Sequence, residues 1–203
     1  DIDDETRVDG YSFAEAISKV DTPKLTVHIN SYGGSVKEGL AIYNELCAFK
    51  GHLITVVDGF ACSAASFIFM AGAERIVPES ALLMIHNPIM YDVEGNSKDL
   101  RKAADELDVI AQPSINIYCS KTGLPEEKIK EMMDNETWIN AQEAFDMHFS
   151  TQMSRNEAMQ SLESEYVSNL VNRIKEQAQL IKQYQNQDLN KKEPKNSWED
   201  YFG

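Results

Sequence analysis

The chain has 203 residues, of which 42% are hydrophobic, enough for one globular domain with a sizeable core and some additional chain. Its formal net charge of −14 disfavours nucleic acids and anionic membranes as partners, because an acidic surface repels polyanions. No apolar run is long enough to span a bilayer, and no basic-then-apolar signal peptide opens the chain, so we expect a soluble, cytoplasmic protein.

Three cysteines, Cys47, Cys62 and Cys119, lie at wide spacings in apolar or small-residue surroundings. An odd number at such spacings favours reduced, buried thiols over a disulfide framework. The chain has four histidines and no pair of cysteines at ligand spacing. We therefore expect no structural zinc site, no other metal and no cofactor.

The first quarter of the chain predicts helices that alternate with strands. A short amphipathic helix from about Ser12 is followed by Lys24–Asn30, whose alternation of apolar and polar residues predicts a strand. Gly33 and Gly34 then form a tight turn, and Ser35 can cap the helix that follows. The turn matches neither a phosphate loop nor a dinucleotide fingerprint.

Ser63 stands where a buried strand is predicted to end and a buried helix to begin. His52–Asp58 is apolar and β-branched, and the small residues after Ser63 suit a helix up to Gly72. At such a junction, free backbone N–H groups and the helix dipole can stabilise an oxyanion, so Ser63 can attack a carbonyl. The alternative, that the small residues only permit close packing, is equally open from this segment.

Two further short strands, Glu74–Pro78 and Ala81–His86, complete an alternation that predicts an α/β fold with a largely parallel sheet. His86 closes the second strand. Taken alone, a histidine at a strand end is more often a rim residue than a catalytic base.

The second half of the chain predicts three helices. A long one from residue 96 or 97 to about 122 contains Pro113, which we expect to kink or interrupt it. A short acidic helix runs through Met133, and Asn140 with Glu143 predicts a capping box for the third.

Nucleophilic catalysis by serine requires a base, a group that orients the base, and donors for the oxyanion. Ser63 can supply the nucleophile, His86 the base, and a carboxylate at Asp134 or Glu136 the orienting group, while the Gly33–Gly34 turn can supply donors. Both carboxylates also fit plain surface charge. Because all these residues lie near strand ends, we expect them to meet at one edge of the sheet.

The last fifty residues differ in composition from the rest. Apolar residues at helical spacing predict an amphipathic helix over about 156–184, whereas 185–196 is rich in Asn, Gln and Lys and is expected to be disordered. Trp198, Tyr201 and Phe202 are either a docking motif or a frayed end, and we favour the frayed end.

Four sequence blocks, in order, resemble the proteolytic subunit of the Clp protease (ClpP), and more closely the ClpP-like head-maturation proteases of bacteriophages and prophages. One block alone is weak, but four in the family's order are specific. The blocks are Ile29–Gly34, Gly59–Ala65, Met84–Pro88 and Glu136–Ala144.

The resemblance implies an α/β spiral of βαβ units, the ClpP/crotonase-like fold, with a protease domain at 1–153. The helix at 97–122 would be a protruding handle between rings, and 154–203 would add an amphipathic helix and a tail. It also implies a homo-oligomeric ring, a heptamer or a stacked tetradecamer, that acts on polypeptides.

The same resemblance assigns roles to residues at the site. Ser63 matches the family's nucleophile, His86 its general base and Glu136 the third member of its triad. The N–H groups of Gly34 and Ala64 correspond to its oxyanion hole.

The chain departs from the usual Clp pattern at two positions. Glu136 stands where the family usually has aspartate, one methylene shorter, so Asp134 is the alternative third member. Tyr32 replaces a proline that is common in the glycine turn, which changes the rigidity of the turn but not its donors.

These features predict a ClpP-type serine endopeptidase, in particular a phage or prophage head-maturation protease in the host cytoplasm or a procapsid. Capsid or scaffold proteins are candidate partners, and an ATPase unfoldase is left open. Two rival interpretations are a catalytically impaired ClpP-like assembly subunit and a crotonase-type acyl-CoA enzyme.

Overall fold

The computed structural model describes Ile2 and residues 8–154, and all structural statements below refer to these residues. The predicted helix at 156–184 and the tail after it lie outside the described residues. No helix in the described part is long and apolar enough to cross a membrane.

Helices and strands alternate along most of the described chain, as predicted. In order, they are α1 (Gly10–Ser18), β1 (Lys24–Ser31), α2 (Val36–Ala48), β2 (His52–Cys62), α3 (Ala64–Phe69), β3 (Glu74–Pro78), β4 (Leu82–Ile85), α4 (Ser97–Thr122), α5 (Glu126–Asp134), β5 (Thr137–Asn140), α6 (Ala141–Asp146) and β6 (Gln152–Ser154).

The strands form one sheet around β2. Its first half pairs in parallel with β1 on one edge and with β3 on the other, and its last residues pair in parallel with β4. Strand β6 extends the sheet in parallel beyond β3, and β5 adds to β4 in the antiparallel direction. The predicted α/β class with a largely parallel sheet is confirmed.

The short helix α3 belongs to the hydrophobic core of the described residues. All six of its residues are buried, so the whole helix is core rather than surface. Phe69 and Val57 on the adjoining strand β2 are both fully buried. This packing holds both ends of the β2–α3 connection, where Ser63 lies, in a rigid part of the fold.

Helix α4 has an unburied first half and a buried second half. No residue of 97–110 is buried, whereas six residues of 111–122 are. Of the two outcomes predicted for Pro113, a kink or an interruption, the interruption does not occur, because α4 runs from Ser97 to Thr122 as one helix. Pro113 leaves the carbonyl of Val109 without its intrahelical donor, and Val109 is 73% exposed, so this carbonyl lies where solvent is close.

The predicted helix caps are confirmed. The Ser35 hydroxyl accepts a hydrogen bond from the N–H of Glu38 at the start of α2. Asn140 and Glu143 form the predicted capping box of α6. These local signals are reliable because cap and partner lie three residues apart and meet without help from the tertiary structure.

The sequence prediction missed strands β5 and β6 and stopped β2 at Asp58, four residues before its observed end at Cys62. Strand β5 has four residues and β6 has three, too few to show an alternating pattern. They are strands because their backbones pair with β4 and β3, which lie far away in the sequence.

The three cysteines are free, as predicted, but the expectation that all are buried holds only for Cys62, since Cys119 is half-buried and Cys47 is exposed. Its neighbour Leu46 faces the core, and one step along a helix turns the next side chain away by about 100°. Cys62 is fully buried at the end of β2, and this burial raises the pKa of its thiol to about 12. It is therefore protonated and unreactive at neutral pH.

Candidate active site

Ser63 links the last residue of β2 to the first residue of α3. Its backbone has φ 53° and ψ −126°, which an L-residue rarely adopts. The N–H of Ser63 donates to the carbonyl of Met84, at 2.8 Å, so the turn is tied to β4. The Ser63 hydroxyl makes no capping bond to α3 and is available for another partner.

That partner is His86, whose Nε2 lies 2.8 Å from the Oγ of Ser63. His86 directly follows β4, and β4 pairs in parallel with the end of β2, with Cys62 opposite Met84. The two strands therefore deliver the serine and the histidine to the same edge of the sheet. The distance is within the range for proton transfer from a hydroxyl to an imidazole.

The turn at Gly33 and Gly34 packs directly against Ser63. Both glycines have positive φ, at 98° and 145°. A Cβ on Gly33 would lie 2.6 Å from the Cβ of Ser63 and 3.0 Å from the amide nitrogen of Ala64. Glycine at this position is therefore required both by the backbone conformation and by the close approach to the serine.

The N–H of Gly34 lies outside the pairing that holds this turn. Ile2 forms a parallel bridge to Gly34, in which the N–H of Ile2 donates to the Gly33 carbonyl and the N–H of Ser35 donates to the Ile2 carbonyl. Neither bond uses the Gly34 N–H, so the bridge fixes the turn without occupying this donor.

The Asp134 carboxylate binds a neighbour of the histidine. Asp134 is the exposed last residue of α5, and its Oδ1 accepts a hydrogen bond from the side-chain amide of Asn87 at 2.7 Å. The sequence suggested Asp134 as one of two partners for His86. In the structure its carboxylate bonds to Asn87, the residue after the histidine.

Glu136 lies between α5 and β5, and its position relative to His86 follows from strand register. The antiparallel pairing of β4 with β5 places Ile85 opposite Thr137. One step beyond this pair, His86 directly follows β4 and Glu136 directly precedes β5. Glu136 is half-buried and has φ 46°, again an unusual value for an L-residue.

A small cavity of about 20 Å³ adjoins the Ser63–His86 pair. This is about the space that one water molecule needs. Its walls come from α2, α3, the segment after β4, and α4; the lining residues besides the pair are Val36, Ala64, Phe67, Pro88, Ile110, Ser114 and Tyr118. The sequence analysis did not find the contribution of α4, because a helical face carries no signal of what it packs against.

Three aromatic rings form a row close to the glycine turn. The rings of Tyr32 and Phe60 lie 5.4 Å apart, and those of Phe60 and Trp138 lie 6.0 Å apart in an edge-to-face arrangement. This packing places the Tyr32 ring, directly before Gly33, against Phe60 on β2.

A sheet whose strand ends bring a serine and a histidine together at a strand-to-helix turn defines an α/β protein with a hydrogen-bonded serine–histidine pair. The chain belongs to the Clp protease family, whose model matches residues 14–157. The predicted membership of a ClpP-like family and the corresponding α/β fold are thereby confirmed.

Curated relatives agree with this family. The chain is 34% identical over 124 residues to the ATP-dependent Clp protease proteolytic subunit 3 of Rhodococcus jostii, covering 60% of this chain and 61% of that protein. It is 35% identical over 126 residues to the chloroplastic ATP-dependent Clp protease proteolytic subunit 1 of Arabidopsis thaliana, covering 61% and 64%. The chain thus spans less than two thirds of the length of these relatives.

Proposed function

We propose that the protein is a serine endopeptidase of the ClpP type. The observation that carries the proposal is the 2.8 Å separation of Ser63 Oγ from His86 Nε2 at a strained strand-to-helix turn. The Ser63 oxygen attacks the peptide carbonyl while His86 takes the hydroxyl proton and passes it to the leaving amine. Water then hydrolyses the acyl-enzyme with the same histidine as base.

We assign the remaining roles to groups around this pair. The N–H groups of Gly34 and Ala64 stabilise the oxyanion, each by about 3 kcal/mol at the transition state. Glu136 orients His86 and stabilises its protonated form, and the register of β4 and β5 supports it over Asp134. Polypeptides are the substrates, and the reaction requires no metal or cofactor.

We further propose that the biological setting is head maturation of a phage or prophage, in the host cytoplasm or inside a procapsid. Support comes from the departures from the usual Clp pattern at Tyr32 and Glu136 and from the helical pattern at 156–184. Capsid or scaffold proteins are the proposed partners, with an ATPase unfoldase left open. The family resemblance suggests a ring of seven copies, or two stacked rings, and the unburied first half of α4, where Val109 is 73% exposed, supplies an apolar surface for contact between copies.

The test of the proposed activity is reaction with a fluorophosphonate followed by peptide mapping. We expect one adduct per chain, located on Ser63, and loss of hydrolysis of an unfolded model polypeptide in step with adduct formation. The reaction is selective because only a serine paired with a base is nucleophilic enough to attack phosphorus at neutral pH.

Each rival interpretation predicts a different experimental result with the same protein samples. A thermal shift on adding a CoA thioester, without any adduct on Ser63, would favour the crotonase-type enzyme. Assembled rings that neither react with the probe nor cleave polypeptide would favour an impaired assembly subunit.

The setting is tested by removing residues 158–203, which leaves strand β6 and the family match at 14–157 intact. If this segment tethers the protease to capsid or scaffold proteins, the shortened chain should cleave a small peptide at the full rate but should no longer be packaged into proheads. Full packaging of the shortened chain would contradict the tethering role. Loss of peptide cleavage would instead show that the segment is needed for assembly or activity.

A further inference from the structure

The backbone carbonyl of Ser63 accepts two hydrogen bonds from a single residue. The N–H of Ser66 donates to it at 2.9 Å and the hydroxyl of Ser66 donates to it at 2.6 Å. A carbonyl oxygen can only accept, so the one hydroxyl proton of Ser66 points to Ser63. The Ser66 oxygen is then free to accept a hydrogen bond itself.

Tyr118 on α4 supplies that hydrogen bond. Its hydroxyl lies 2.7 Å from the Oγ of Ser66, and since the Ser66 proton is already committed, Tyr118 is the donor. Tyr118 is 2% exposed and Ser66 is 1% exposed. Burial raises the pKa of Tyr118 above its usual value, so the hydroxyl keeps its proton over the working pH range.

The carbonyl of Ser63 and the N–H of Ala64 belong to the same planar peptide unit. Any rotation that moves the carbonyl oxygen also turns the N–H, which points in the opposite direction. The unit follows a residue with φ 53°, a conformation that persists only where its surroundings hold it. Fixing the Ser63 carbonyl therefore fixes the direction of the Ala64 N–H.

We propose that Tyr118 and Ser66 are positioning residues that hold this peptide unit, so that the Ala64 N–H points at the oxyanion formed during attack by Ser63. The proposal rests on the proposed function. It adds two residues whose hydroxyl groups do not touch the reacting atoms but hold the peptide unit next to them. It also means that the second half of α4 supports the site through Tyr118 and Ser66, by one hydrogen bond between side chains and one to the Ser63 carbonyl.

The experiment compares Tyr118→Phe, Ser66→Ala and the double variant in the full-length chain. Each single change removes one hydroxyl, and we expect kcat for peptide hydrolysis and the fluorophosphonate rate to fall about 5- to 20-fold, with KM unchanged. The double variant should be no slower than Ser66→Ala alone, because both hydroxyls act through one chain.

Thr55→Val is the matched control. Thr55 is fully buried on β2, and its hydroxyl donates to the carbonyl of Phe69 at the far end of α3, at 2.8 Å. The substitution removes a buried hydroxyl that is bonded to the same helix, but it changes no hydrogen bond to the Ser63 peptide unit. We expect it to lower the melting temperature like the other variants while keeping the wild-type rates.

The positioning role is overturned if Tyr118→Phe and Ser66→Ala react at the wild-type rate, or slow no more than Thr55→Val. Fully additive losses in the double variant would also overturn it, since they would mean two independent packing effects. If Tyr118→Phe does not fold, Ser66→Ala decides alone. A wild-type protein that neither binds the probe nor cleaves peptides shows that the proposed function itself has failed.

Discussion

Replacing Ser63 with alanine should lower kcat for peptide hydrolysis by about 10⁴-fold or more and abolish the fluorophosphonate adduct. The change removes the oxygen that lies 2.8 Å from His86 Nε2 and leaves the base with nothing to activate. His86→Ala should cause a loss of similar size. The double variant should be no worse than either single one, since the two groups perform one step together.

The backbone at residue 63 makes folding a necessary control for this experiment. Alanine at φ 53° is as strained as serine, whereas glycine adopts this conformation freely. Ser63→Gly should therefore be as inactive as Ser63→Ala but at least as stable in thermal unfolding. Ser120→Ala, which removes a hydroxyl that donates to the Ile117 carbonyl within α4, should keep full activity. More than about 1% residual activity in Ser63→Ala or Ser63→Gly would exclude Ser63 as the nucleophile.

Glu136→Gln should lower kcat by about 10²- to 10⁴-fold, whereas Asp134→Asn should leave it within about threefold of the wild type. The amide in Glu136→Gln cannot stabilise a protonated His86, and it can bind the wrong tautomer of the neutral ring. Asp134 is exposed and its carboxylate accepts a hydrogen bond from Asn87, so we expect its loss to matter little. Steady-state kinetics on one peptide with all variants measures both effects.

Glu136→Asp tests whether the length of this side chain matters as well as its charge. It keeps the negative charge but is one methylene shorter, so it should lose part of the activity if the β5 backbone is spaced for glutamate. Both residues can occupy the positive φ at this position, although at some cost, so the comparison is between side-chain lengths. A larger loss from Asp134→Asn than from Glu136→Gln would reverse the assignment and make Asp134 the third member.

The position of Ser63 could be predicted from the sequence because its signal is local. A β-branched run, a serine and then small residues describe a strand-to-helix junction within about twenty residues. The same holds for the caps at Ser35 and Asn140, where donor and acceptor are three residues apart. By contrast, strands β5 and β6 and the continuity of α4 through Pro113 depend on contacts that no short window contains.

The family, the α/β class and the residue types needed for Ser-His chemistry were determined by the amino-acid sequence, since motifs and periodicity are properties of neighbouring residues. The tertiary structure alone decided which groups meet. It brings Ser63 to His86 through the pairing of β2 with β4, and Tyr118 to Ser66 across 52 residues. Such contacts arise because strand pairing and helix packing bury surfaces that are remote in the chain, and this burial depends on the whole fold.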